Sequence, residues 1–258
     1  MKNYTLNIGW LYPDLMSTYG DRGNIIVLQK RCEWRKIDTK VQQITIGTDE
    51  QLLKTVDFIL MGGAEDRQQE IVSQDLQSGK DKILKELIEK NVPGLYICGA
   101  YQFLGKYYKE ADGRIINGLG VLDMYTQNLG LGYQRLIGNV VSETKIITAT
   151  LDQSNSIMVG FENHGGRTYL GKNTLPFGTV IKGFGNNGKD GTEGAVYKNS
   201  IGTYMHGPIL AKNPQLADYL IATGLKIKYK KEINLERLDD GLENSARSAI
   251  ASRLKLQL

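Results

Sequence analysis

The stretch Gly94-Leu95-Tyr96-Ile97-Cys98-Gly99-Ala100-Tyr101-Gln102-Phe103-Leu104-Gly105 decides the fold. A short apolar run stops at a cysteine, a glycine follows, and the pattern then turns helical, which reads as strand, tight turn and helix. A cysteine at such a turn is thrust out of the sheet onto a helix N-terminus, where peptide dipoles and unpaired N–H groups favour a thiolate. Gly99 lets the backbone pass closely, and its N–H is placed to stabilise an oxyanion when the sulfur attacks a carbonyl. The end of a core strand is also the ordinary home of a buried, inert thiol, so the surrounding sequence carries the decision.

Upstream, residues 4–12 alternate and then run apolar, as a strand opening a parallel sheet does. A helix is predicted over 20–37, a second strand over 41–46, and a third over 56–61, almost uniformly apolar as a strand covered on both faces should be. One or two helices fill 68–89, Asn91-Val92-Pro93 stops them, and a helix over 101–108 follows the cysteine. This alternation predicts right-handed crossovers and an α/β fold with a doubly wound, mostly parallel sheet, its function gathered beyond the strands' C-terminal ends. Gly62-Gly63-Ala64 therefore lies at the same end as Cys98, where the Gly63 N–H is a candidate second oxyanion donor. No G-x-G-x-x-G follows a strand. The run Gly99 to Lys106 misses P-loop spacing by about one residue and puts Tyr107 where a hydroxyl would hold magnesium.

From Gly118 the texture changes to shorter strands, predicted over 134–141, 145–150, 156–161, 179–182, 195–198 and 201–205. These are read as antiparallel additions to the sheet that wrap the functional end, with Gly183 to Gly188 a flexible hairpin connection. Helices over 215–223 and 235–256 complete one domain, residues 1–258, with its core at about 5–210 and C-terminal helices at about 212–256.

At 258 residues and 41% hydrophobic content the chain can bury a full core. A net charge of +4, mixed in sign, gives no concentrated basic patch and argues against nucleic acid. The tightest basic run, Lys226, Lys228, Lys230 and Lys231, reads as a solvated connector between helices. Two cysteines, Cys32 within a predicted helix and Cys98 at a turn, make no disulfide framework. With no signal-peptide pattern and no membrane-length apolar run, the cytoplasm is the expected compartment, with any membrane-bound substrate met at the inner face.

Only two histidines can serve as general base. His206 ends a strand at a loop mouth, before Gly207 and Pro208, and is the candidate. His164, flanked by Asn163 and two glycines, is given a structural hydrogen-bonding role. Arg135 is either a surface arginine or a planar fork for a substrate carboxylate. No metal-ligand cluster is read.

Three blocks carry a family resemblance. Residues 96–105 resemble the nucleophile motif of class I glutamine amidotransferases, in the branch typified by cobyric acid synthase. Gly202-Thr203-Tyr204-Met205-His206-Gly207-Pro208 resembles that branch's histidine motif, and Gly160-Phe161-Glu162-Asn163-His164-Gly165-Gly166-Arg167-Thr168 a third block. With the segment Tyr19-Gly20-Asp21-Arg22-Gly23-Asn24 and the chain length, the whole is most similar to the family of glutaminase subunits of lipid II isoglutaminyl synthase. The resemblance implies catalytic Cys98 and His206, oxyanion donors on Gly63 and Gly99, and glutamine held by Arg135, with Gln102 beside it. It implies no cofactor in this chain. ATP and magnesium belong on a MurT-like, Mur-ligase-family partner, which amidates the D-glutamate of the lipid II stem peptide with the ammonia. The rival expectations are the glutaminase of a cobyric-acid-type amidation and a catalytically inactive amidotransferase fold kept for regulation.

One departure stands out. The usual class I triad ends in a glutamate two residues after the histidine, and Pro208 occupies that place. A third group must orient His206. Either another acid of this chain swings in, or a partner subunit donates one.

Overall fold

The computed structural model describes residues 4–146 and 156–256. Strand β1 (Thr5–Leu11) buries Leu6, Ile8 and Leu11 completely, and a loop carries the chain into α1 (Arg22–Glu33). Then come β2 (Asp38–Ile44) and β3 (Phe58–Met61), the latter buried at every residue. Helices α2 (Asp66–Asp75) and α3 (Asp81–Glu89) are joined by a wide turn through Gly79, whose φ of +139° is open to glycine. Strand β4 (Gly94–Ile97) leads through Cys98 into α4 (Gly99–Leu104).

Among the described residues ten further strands follow: β5 (Tyr107–Lys109), β6 (Ile115–Asn117), β7 (Met124–Asn128), β8 (Leu136–Glu143), β9 (Ile157–His164), β10 (Gly166–Leu170), β11 (Gly178–Lys182), β12 (Thr192–Glu193), β13 (Ala195–Tyr197) and β14 (Ser200–Thr203). Helices α5 (Ile209–Lys212), α6 (Pro214–Tyr229) and α7 (Gly241–Arg253) end the described chain.

The main sheet runs β13-β14-β4-β3-β1-β2. All its neighbours pair in parallel except β13, which closes the edge antiparallel to β14. The winding reverses between β1 and β3, so the ends of β1, β3, β4 and β14 open on one crevice, the place where such sheets bind ligands. Two four-stranded sheets, β10-β7-β5-β6 and β12-β11-β8-β9, stand beside it.

The structure corrects several expectations. Of the later strands, β5 to β12 form these two separate sheets rather than additions to the main one, while β13 does join it antiparallel and β14 pairs in parallel with β4. The helix expected over 101–108 stops at Leu104, because the Lys106 N–H bonds to the Met124 carbonyl and Tyr107 starts β5. The loop 183–188 is anchored rather than a free hairpin: the Phe184 and Gly185 N–H groups donate to Glu162, and Asn186 is fully buried. The basic run begins inside α6, where Lys228 pairs with Asp57. Residues 232–240 are non-helical, held where Arg31 grips Asp240 and Arg35 grips the Glu236 carbonyl. The strand expected over 145–150 lies mostly outside the described residues.

Candidate active site

Cys98 joins β4 to α4 with φ 52° and ψ −105°, a backbone state that costs about 1–3 kcal/mol. Two elements impose it. The Cys98 N–H donates to the Thr203 carbonyl of β14 at 2.8 Å, and its carbonyl accepts from Gln102 N–H at 3.0 Å. The thiol is thereby placed at the first turn of α4, where backbone N–H groups lack intrahelical partners. It lines a cavity of about 510 Å³, of a size for a small molecule.

His206 follows β14 and is tied to Phe161 of β9 by paired backbone bonds of 2.8 and 3.2 Å. Its ring is fully buried, with the Tyr19 ring edge-on at 5.0 Å. Gly63 explains how histidine and cysteine meet. A Cβ there would stand 2.8 Å from His206 Cε1 and 3.2 Å from Cys98 Cβ, so only a bare backbone fits between them.

A carboxylate of this chain reaches the imidazole. His206 Nδ1 donates to Asp21 Oδ1 at 3.0 Å, and both side chains are buried. Nε2, the other nitrogen, has no hydrogen-bond partner among the described residues, and Cys98 is near enough to act on the ring's charge. Burial alone would push the imidazole's pKa down, but the Asp21 carboxylate outweighs it and raises it to about 10. His164 shows the opposite outcome. Glu162 is 3.8 Å from its Nε2 and already accepts two backbone N–H groups, so burial prevails and its pKa is lowered. His164 Nδ1 donates to the Gly166 carbonyl at 2.7 Å and the ring stacks on Tyr204 at 3.6 Å, which fits the structural role expected of it.

One oxyanion assignment changes. The Gly63 N–H donates to Asp21 Oδ2 at 2.7 Å and is therefore not a free donor. The next amide on that loop, Ala64 N–H, lies 3.2 Å from where a Gly99 Cβ would stand, so Gly99 and Ala64 bring two N–H groups to the sulfur's turn. Arg135 lines the same cavity as Cys98, braced by Asn163 through its Oδ1 and its carbonyl, each at 3.0 Å. Gln102 also lines it. One amide donor of Gln102 goes to Tyr204 Oη at 3.1 Å, and its Oε1 is buried without a partner. Among the described residues no group of three or more His, Cys, Asp or Glu gathers to hold a metal.

A family model described as a CobB/CobQ-like glutamine amidotransferase domain matches residues 7–214. The chain belongs to this amidotransferase family. It is 40% identical over 256 residues, 98% of each chain, to the lipid II isoglutaminyl synthase (glutamine-hydrolyzing) subunit GatD of Staphylococcus aureus (strain N315). The protein of the same name from Streptococcus pneumoniae (strain ATCC BAA-255 / R6) is 40% identical over 237 residues, 92% of this chain and 87% of that one. A probable cobyric acid synthase of Methanothermobacter thermautotrophicus is 30% identical over 83% of this chain but only 41% of its own length. Among solved structures, a glutamine amidotransferase overlays with a TM-score of 0.58 at 14% identity, over 84% of this chain and 98% of that one. PurLQS from Thermotoga maritima gives 0.55 at 13% identity, over 89% and 100%. These overlays support the fold.

Within this amidotransferase, Pro208 has its own packing role. A Cβ on Gly23 would lie 2.5 Å from Pro208 Cγ, so the proline seats on the first turn of α1. The carboxylate comes from the residue just before that helix, Asp21. Asn24 ties the two together, donating to the Asp21 carbonyl and accepting from the Leu210 N–H, at 3.1 and 3.0 Å. Asp21, Asn24 and Ala64 were not singled out from sequence. The available signal for Asp21 was an acid after the first strand, within a segment that resembles the family.

Proposed function

We propose that the chain is the glutaminase subunit of a lipid II isoglutaminyl synthase. Cys98 Sγ, its proton passed to His206, attacks the side-chain amide carbon of glutamine, and the oxyanion rests on the Gly99 and Ala64 N–H groups. His206, kept protonated by Asp21, gives a proton to the departing ammonia. Water then attacks the thioester, His206 takes up its proton, and glutamate leaves. Arg135 forks onto the α-carboxylate, with Gln102 beside the substrate. The ammonia goes to a MurT-like, Mur-ligase-family partner carrying ATP and magnesium, which amidates the D-glutamate of the lipid II stem peptide.

The observation that carries this reading is Asp21 at His206 Nδ1 beside a strained cysteine, in a chain 40% identical to two proteins named for that activity. Because the acid lies in this chain, the free protein is expected to release glutamate from glutamine. With the co-expressed Mur-ligase-like subunit, ATP and lipid II, the expected product is the amidated stem peptide. The assay uses Cys98→Ser as its blank. No Cys98-dependent glutamate in either condition overturns the glutaminase; release without stem-peptide amidation overturns the destination.

A further inference from the structure

Arg167 is a buried guanidinium whose partners are all neutral. Its side chain reaches two carbonyls in different connections: Nη1 donates to Gly165, between β9 and β10, at 2.7 Å and Nη2 to Gln134, before β8, at 2.5 Å. Gln134 precedes Arg135, and Gly165 joins β9 to β10 at the wall of the Cys98 cavity. Arg135 Nη1 itself lies 3.3 Å from where a Gly165 Cβ would stand. Among the described residues, no carboxylate within 4.0 Å pairs with either arginine. Burial acts most strongly against the Arg167 cation; Tyr204 and Tyr169 act for it, and the nearby Arg135 charge acts against it. A protein that holds two guanidinium groups together without an acid has left a place for an anion.

We propose that Arg167 is a positioning residue for the substrate carboxylate: it pins the Gln134 and Gly165 carbonyls so that Arg135 projects into the cavity, and the paired positive charge is neutralised when glutamine docks. The inference rests on the glutaminase reading and deepens its substrate site. It makes Arg167 act through Arg135 and only on substrates that carry the α-carboxylate.

The test is steady-state hydrolysis by the full chain of two substrates, L-glutamine and 4-aminobutanamide, which lacks the α-carboxylate. The variants are Arg167→Met, Arg167→Lys, Arg135→Met and the Arg135→Met/Arg167→Met double, each checked for an unchanged melting temperature. Arg167→Met is expected to raise the KM for glutamine about tenfold with kcat within about twofold. Its kinetics on 4-aminobutanamide should not change, and it should add nothing to Arg135→Met. Arg167→Lys, able to reach one carbonyl at a time, should fall between. An Arg167→Met that lowers kcat on both substrates alike, or leaves the glutamine KM unchanged while Arg135→Met raises it, overturns the inference alone. A wild type without Cys98-dependent hydrolysis of glutamine overturns the glutaminase reading beneath it.

Discussion

With Nδ1 of His206 held 3.0 Å from Asp21, the carboxylate raises the imidazole's pKa above its ordinary value, which suits the role of acid for ammonia proposed for it. Asp21→Asn preserves the shape and removes the charge, so burial should then drive the histidine's pKa below its ordinary value. We expect glutamate release to fall about 10²–10⁴-fold with the fold intact; activity near wild type would show that another group orients the ring. The same pair makes a stability prediction. A histidine raised to about 10 in the folded chain, against about 6.5 unfolded, stabilises fully below the lower value, and that contribution is lost as pH rises through the upper one. The wild-type melting temperature should therefore decline between about pH 6.5 and 10 more steeply than that of Asp21→Asn; parallel curves would remove the linkage. Cys98 and His206 could be picked out from sequence because their residue types are rare in this chain and their flanks mark turns, whereas Arg135 was singled out only through the family resemblance. Asp21 was not picked out, because an aspartate before a helix has many ordinary uses, and it is brought to the ring by distant contacts: Pro208 on Gly23, Leu210 on Asn24 and the Gly63 N–H on its carboxylate.

At the scale of elements, the inner parallel strands β3 and β4 announced themselves through short apolar runs, as in Phe58–Met61. Strands β7 and β10 did not. Their opposed residues Thr126 and Thr168 are fully buried and bond hydroxyl to hydroxyl at 2.7 Å, so polar side chains occupy the inward places where alternation looks for apolar ones. The start of α7 was misread for a similar reason. Residues 232–240 are held non-helical by contacts with α1 that lie some two hundred positions away in sequence. Asp240→Asn should weaken the buried Arg31 cluster by about 1–2 kcal/mol and loosen α7, while Asp218 still holds Arg31. Hydrogen exchange faster across 241–253 and unchanged in β4 is the expected pattern; uniform protection would show that the clasp is idle. Gly202→Ala tests packing at the sheet itself. Its Cβ would meet Tyr101 Cδ2 at 2.1 Å, so β14 and α4 must part and stability should drop by about 1–3 kcal/mol. Chemical denaturation checks this, and an unchanged midpoint would mean that Tyr101 yields freely.

Over the whole molecule, four parallel strand ends deliver the parts of one site. Asp21 comes after β1, the Gly63 and Ala64 loop after β3, Cys98 after β4 and His206 after β14, while Arg135 arrives from the sheet beside them. That end of the sheet was predictable from winding alone, whereas the two smaller sheets that complete the cavity depend on pairings no local pattern records. On the proposed function, this cavity holds glutamine against Cys98. Labelling with a diazoketone analogue of glutamine, read by mass spectrometry of the intact and digested chain, tests it most directly. Cys32 is an internal control, since burial pushes its thiol up to about 12. One adduct is expected, on Cys98, slowed by added glutamine and by Arg135→Met, with Cys32 untouched. Labelling that falls equally on both cysteines, or proceeds at Cys98 regardless of glutamine, would contradict it.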